Sequence, residues 1–261
     1  MTSQELPLRN KDLQQVFDLK YGQGQDVGWG PRLRLRFKYF NPDDYYEAMV
    51  AKLVGEGCAW VDLGCGRELF PDNQKLARVL ADRCETLVGV DPDATLEENQ
   101  FVHQRARSRI EDFQTEQRFM VITLRMVVEH ITEPEQTLQT LARLTRPGGK
   151  VVVFTVNQWS PLALLARLIP FRFHHALKNL VWRTEEKDTF PVAYRMNTRE
   201  RLAQLFGEHG FKERYFTYLD DCRTSARFRL GQLLELACWR VLKALGLRYP
   251  ENCLLGVYER L

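Results

Sequence analysis

A short apolar run that ends in a glycine turn, then a stretch of helical period, then a second apolar run occupies the middle of the chain and constrains its fold more than any other feature. Ala59 to Leu63 (AWVDL) is the first run, and Asp62-Leu63-Gly64-Cys65-Gly66 carries it into the turn. From Asn73 to Cys84 (NQKLARVLADRC) the apolar residues recur three and four apart, as on one face of a helix, and Thr86 to Asp91 (TLVGVD) is strand-like again. The unit reads β-α-β. Phe101 to Gln104, Phe119 to Leu124 and Lys150 to Val156 continue the series, and a helical pattern from Pro134 to Thr145 is stopped by Pro147-Gly148-Gly149 ahead of the last run. Strands that are apolar nearly throughout must be covered on both faces, which implies a parallel sheet wound with helices on either side.

Beyond Asn157 the rhythm changes. No acidic residue occurs from Gln158 through Arg183, whereas Arg167, Arg172, Lys178 and Arg183 are basic, and the segment reads as basic amphipathic helices. Thr198 suits a helix N-cap, and the helix it opens stops at Gly210. Phe211 to Leu219 and Asn252 to Leu261 have strand character, separated by a long helical stretch. With no Pro/Gly/Ser linker anywhere, the expected organisation is one α/β domain over 59–261 under an N-terminal helical cover, 1–58, with helical insertions at about 160–183 and 222–247.

Composition removes several function classes. A 44% hydrophobic content excludes a disordered chain. Lys plus Arg at 37 against Asp plus Glu at 34 leaves +3, too little for a general nucleic-acid footprint, so no DNA partner is expected. The six cysteines form no C-x-x-C pair, against a zinc ribbon or a dithiol redox motif, and fit free thiols in a reducing cytoplasm. The start, MTSQELPLRNKD, lacks an apolar signal region, and the greasiest stretch, Pro161 to Phe171, is broken by Arg167 and too short to span a bilayer.

The turn after the first strand carries the chemistry. A dinucleotide fingerprint requires a third glycine where Leu69 stands, and an acid two residues before the first glycine repels phosphate. The same acid suits a ligand with a positively charged amino-acid end. Val61-Asp62-Leu63-Gly64-Cys65-Gly66 resembles the first motif of the class I S-adenosylmethionine-dependent methyltransferases, and the likeness continues through Phe119 to Ile131 and Leu144 to Asn157, covering about 59–157. The resemblance implies a doubly wound, Rossmann-like fold on a mostly parallel seven-stranded sheet, with S-adenosyl-L-methionine as cofactor. It places Asp62, Gly64, Cys65 and Gly66 around the methionine moiety, Asp91 on the ribose hydroxyls, Pro92 and Asp93 beside the adenosine, and Ile110 and Glu111 at the adenine. Leu124 and Arg125 of the fourth-strand segment complete the implied cofactor set. One departure from the family pattern is Arg109-Ile110 ahead of Glu111-Asp112, where an acid followed by a small residue is usual.

Methyl transfer from a sulfonium asks the protein mainly to align a nucleophile in a dry pocket. Thr123-Leu124-Arg125-Met126 stands where adenine methyltransferases carry an Asp/Asn-Pro-Pro-aromatic tetrad, and it holds neither a Pro-Cys nucleophile nor carboxylates for Mg²⁺, so no metal is expected. His130 after Glu129 is the candidate general base for an oxygen nucleophile, with a structural or capping role as the plainer reading. Adjacent His174 and His175 point to different helix faces and make a poor metal pair. Tyr21, Trp29, Asn157, Tyr194 and Arg195 are the candidate acceptor contacts. The expected activity is methylation of a small or medium-sized acceptor, at oxygen. Two other readings stay open: an RNA or protein methyltransferase docking through a basic lid, and a cofactor-binding module without turnover. For the insertions, a lid, a dimer face and a membrane-surface patch all stay open.

Overall fold

A computed structural model of the chain describes residues 6–24, 27–161 and 192–261. Its strands are β1 (Cys58–Leu63), β2 (Cys84–Val90), β3 (Gln104–Ala106), β4 (Phe119–Arg125), β5 (Thr145–Val156), β6 (Phe211–Asp220) and β7 (Glu251–Arg260). They form one sheet in the order β3-β2-β1-β4-β5-β7-β6, parallel except for β7, which runs against both neighbours. This is the expected doubly wound α/β architecture.

Alternation along each strand divides the core. Trp60, Leu87, Val121 and Val152 face one side with residues of α1 (Asn10–Tyr21), α3 (Pro42–Leu53) and α4 (Gln74–Arg83). Val61, Val88, Ile122 and Val151 face the other, against α5 (Pro134–Leu144) and α6 (Arg199–Glu208). Helix starts follow local chemistry: Asn73 and Thr198 each accept a bond from the amide three residues on, at 3.2 Å, and Pro42 sits in the first turn of α3. Among the described residues the 222–247 insertion contains one helix, α7 (Arg229–Ala244), packed through Leu236 and Trp239 on Leu33 of α2 (Trp29–Phe37) and on Tyr39. Residues 162–191, which include most of the first insertion with His174 and His175, lie outside the described residues.

Two strands start three or more residues from the sequence expectation, the others within two. The third strand is Gln104–Ala106, because Val102 is used in the core beneath β2 while Gln104, Arg105 and Ala106 make the ladder with Val88 to Val90. β5 begins at Thr145, before the Pro-Gly-Gly turn, since Thr145 already pairs with Phe119 and the register then shifts.

The N-terminal helices are fastened by charge rather than by apolar contact alone. Lys20 of α1 donates to Glu47 of α3 at 2.7 Å, Arg34 of α2 donates to Asp44 at 2.8 Å, and Asn73 donates to the other Glu47 oxygen at 2.8 Å. All of these side chains are buried. Burial works against the charge on Lys20, yet Glu47, Tyr21 and Asp44 more than reverse it and hold its pKa above the usual value. Arg34 also lies over the rings of Phe17 and Tyr21, 5.1 and 4.9 Å from their centroids.

Candidate active site

Strands β2 and β4 flank β1, and the connections after β1 and β4 leave the sheet on opposite faces. The crevice at the carboxyl ends of these three strands is therefore the topological switch point where open α/β sheets take ligands. The Gly64–Gly66 turn forms its floor. Gly64 has φ +74°, and a Cβ there would fall 2.3 Å from Cγ2 of Val127 in the loop after β4. Only glycine permits that approach. Gly66 also has positive φ, and so does Met126, a non-glycine residue directly after β4.

Asp91, just past β2, is fixed by this turn. Its Oδ2 accepts the Gly66 amide at 2.9 Å and its Oδ1 accepts the Asp93 amide at 2.8 Å. Each oxygen keeps a further lone pair, so the carboxylate is oriented and still able to accept from a vicinal diol. Asn99 secures the turn from below, donating to the Gly66 carbonyl at 3.2 Å. Beside it opens a cleft of about 210 Å³ lined by Gly64, Pro92, Ile110, Glu111, Val127 and His130. Ile131 adds to its apolar wall, and Arg109, Thr132, Glu133 and Gln136 add polar groups, so it offers both apolar surface and hydrogen-bonding groups to a heterocycle.

Asp62 lies beneath the turn, 3% exposed. Thr123 donates to its Oδ1 at 2.5 Å and is itself held by the Trp60 indole N–H at 2.8 Å. Burial pushes the Asp62 carboxyl up to about 7 against the Thr123 bond. Arg125 acts on it through space but is ion-paired with Asp43, so among the described residues Asp62 has no ion-pair partner of its own for an ammonium brought by a ligand to displace. Cys65 is buried and its thiol is pushed up, first by burial and then by Asp62 and Asp91, which makes it packing rather than a nucleophile.

Several residues singled out in the sequence are engaged elsewhere. Leu124 is buried in the core. Arg125 turns to α3 and donates to Asp43 at 2.8 Å, while Arg223 holds the other Asp43 oxygen and, with its remaining nitrogens, Asp221 at 2.7 and 2.9 Å. Burial alone would raise Asp43, but the two guanidiniums hold it at about 2. Asp93 caps a short 3-10 turn through the Thr95 amide at 2.8 Å. Glu111 takes the Thr137 hydroxyl of α5 at 2.8 Å. Asn157 spends both ends of its amide on backbone, donating to Glu251 and accepting from Trp159. Tyr21 packs in the buried charge cluster, and Trp29 lies under Arg229 of α7, 5.6 Å from its ring.

The loop after β4 brings in partners that sequence reasoning did not weigh. Glu129 is buried, and its Oε2 accepts the Thr155 hydroxyl at 2.6 Å, with Asn197 donating to Thr155 Oγ1 at 2.8 Å. Burial raises the Glu129 carboxyl. Its carbonyl accepts the amides of Ala193 and Tyr194, so the segment leading to α6 is docked on this loop. Tyr194 has φ +50°, a left-handed backbone stored beside the site, and Arg195 is exposed. The signal was the Glu-His pair after β4, but its partners lie in other elements.

A family model described as a methyltransferase domain matches residues 33–214. The chain belongs to that family, and with it to the class I S-adenosylmethionine-dependent methyltransferases. Among curated relatives it is 32% identical over 143 residues to a ubiquinone biosynthesis O-methyltransferase of Xanthomonas axonopodis pv. citri, a match covering 49% of this chain and 59% of that protein. The enzyme of the same name from Rhizobium etli is 31% identical over 164 residues, covering 58% and 64%. The chain thus spans about three fifths of the length of these relatives. Of solved structures, a putative S-adenosylmethionine-dependent methyltransferase of Listeria monocytogenes aligns with TM-score 0.54 at 15% identity, over 84% of this chain and 97% of that one. Magnesium protoporphyrin IX methyltransferase of Synechocystis with bound SAH aligns with TM-score 0.51 at 13% identity, over 97% and 95%. These two share the fold.

Proposed function

We propose that the protein transfers the methyl group of S-adenosylmethionine to an oxygen of a small or medium-sized acceptor. The observation that carries the cofactor assignment is the Asp91 carboxylate, oriented by the Gly66 and Asp93 amides at the switch point. In this reading Asp91 accepts both ribose hydroxyls, buried Asp62 faces the ammonium of the methionine end, and Ile110, Pro92 and Glu111 border the adenine in the 210 Å³ cleft. The bound cofactor supplies an electrophilic methyl on a sulfonium. The chain's own work is to hold the acceptor in line with that methyl, to exclude water, and to receive the proton of the acceptor hydroxyl. His130, at the rim of the cleft on the loop after β4, is the group we assign to that proton. Oxygen is preferred over nitrogen because the curated relatives carry the name O-methyltransferase. The six cysteines are free thiols, five of them buried, a state that a reducing cytoplasm maintains.

The test is transfer of labelled methyl to a panel of phenols and amines. Product on a hydroxyl oxygen is expected, and His130→Ala should lower kcat by about 100-fold in a variant that still binds S-adenosylmethionine. Methylation confined to amines would overturn the acceptor class, and an unchanged kcat would remove His130 from the mechanism.

A further inference from the structure

Helix α7 presents a face to solvent that neither the fold nor the cofactor site uses. Its inner side is accounted for by Gln232, Leu236 and Trp239, all buried. On the opposite side Leu230, Leu234, Val241 and Leu245 are 68%, 61%, 57% and 67% exposed. At 100° per residue these four point within an arc of about 60°, so they form one continuous aliphatic stripe along the helix. Phe228 before the helix and Leu247 after it extend the stripe at both ends and are also exposed. Scattered exposed leucines need no explanation, but an aligned run along sixteen residues of helix does.

The charge beside the stripe has one sign. From Cys222 to Pro250 the sequence holds six basic residues against a single acid, Glu235, and that acid is turned to its own loop, accepting from Ser225 and Tyr249. Arg229 and Arg240 project on one flank of the stripe, over the rings of Trp29 and Phe37 at 5.6 and 6.0 Å. Where the inner side of α7 meets α1 and α2, an open groove of about 930 Å³ adds Lys11, Lys38 and Lys243 to Arg240, with no carboxylate among its described lining residues.

We propose that this face docks the protein on an anionic lipid bilayer, the aliphatic stripe entering the headgroup layer and the flanking cations taking lipid phosphates. Charge complementarity selects that occupant. A second copy packed antiparallel on this face across a two-fold axis would set the flanking arginines against their equivalents. A nucleic acid would satisfy the cations but leave the aliphatic stripe wet. An anionic bilayer satisfies both. The position in the fold gives the surface its purpose. α7 springs from the end of β6 and returns to the start of β7, at the sheet edge that carries Asp91 and the cleft, and Arg223–Asp43–Arg125 ties the insertion to the end of β4. Docking would hold the mouth of the site at the membrane surface.

Flotation of the purified full chain with phosphatidylcholine vesicles, with and without phosphatidylglycerol, tests this. Binding to the anionic vesicles is expected, about tenfold weaker on phosphatidylcholine alone and at about 0.5 M salt, where charge attraction is screened. Leu234→Glu with Leu245→Glu should lower it about tenfold with thermal melting unchanged, because both altered side chains are exposed. Arg229→Gln with Arg240→Gln should lower it as well, read on protein that circular dichroism shows to be folded, since both guanidiniums also lie over rings of α2. No partition of folded wild type onto anionic vesicles would overturn the proposal. So would a dimer, seen by light scattering, that the Leu234→Glu and Leu245→Glu pair dissociates while vesicle binding stays at wild-type level.

Discussion

Gly64→Ala should reduce affinity for S-adenosylmethionine by about 100-fold, roughly 3 kcal/mol, in a protein that still folds. Two costs add. At φ +74° an L-residue loses about 1–2 kcal/mol relative to glycine. The new Cβ would also stand 2.3 Å from Val127 Cγ2, and relieving that overlap needs a displacement of about 1 Å between the glycine turn and the loop after β4. The turn cannot move alone, because the Gly66 amide holds Asp91 and its carbonyl is held by Asn99. A shift of that size at a preorganised site is enough to account for the predicted loss. The two costs separate in a second variant. Val127→Ala removes the offending methyl, leaving Val127 Cβ at 3.4 Å from the new atom, so Gly64→Ala with Val127→Ala should regain about tenfold in calorimetric affinity. Wild-type affinity in Gly64→Ala alone would contradict the geometry drawn for the turn.

Arg34→Met should produce the largest loss of stability, about 3–5 kcal/mol, seen as a fall in melting temperature of roughly 10 °C for a chain of this size. Arg34 is buried, bonded to Asp44 at 2.8 Å and stacked on two rings. Methionine replaces much of the stem but leaves Asp44 in a buried site with Lys20 as its remaining charged partner, at 3.7 Å. The comparison is Arg109→Ala, which breaks an ion pair of the same 2.8 Å length to Asp112 with side chains 70% and 58% exposed. That change should shift stability by less than about 1 kcal/mol, since water and salt screen the pair. Equal effects from the two variants would mean that the charge cluster under α1–α3 does not hold the N-terminal helices as described.

The parts of the fold that local pattern governs were legible in the sequence. The β1 run, the glycine turn, α4 and β2 read directly because a buried parallel strand is apolar throughout and an amphipathic helix is not. The third strand misled because Phe101 and Val102 carry the apolar signal, whereas the ladder is made by Gln104, Arg105 and Ala106 at an exposed edge. Asp91 was legible because its position after β2 and the turn it bonds belong to one βαβ unit. Arg125 was not. Its end-of-strand position suggested the cofactor, but its partner Asp43 sits 82 residues earlier in α3, and no periodicity links the two. Asn157 likewise gives its amide to strand β7 and to its own turn, contacts that exist only once the sheet is assembled. The Glu129–Thr155–Asn197 chain joins three segments in the same way, so only the Glu-His pair was visible beforehand.

Calorimetric titration of the purified chain with S-adenosylmethionine and with S-adenosylhomocysteine, repeated on Asp91→Ala, bears most directly on the site. Micromolar binding of both ligands by wild type, weakened at least about 100-fold in a folded Asp91→Ala variant, is the predicted result, since the carboxylate would lose two charge-assisted bonds to the ribose. Unchanged affinity in Asp91→Ala, or no binding of either ligand by folded wild type, would contradict the assignment of the switch-point crevice as the cofactor site.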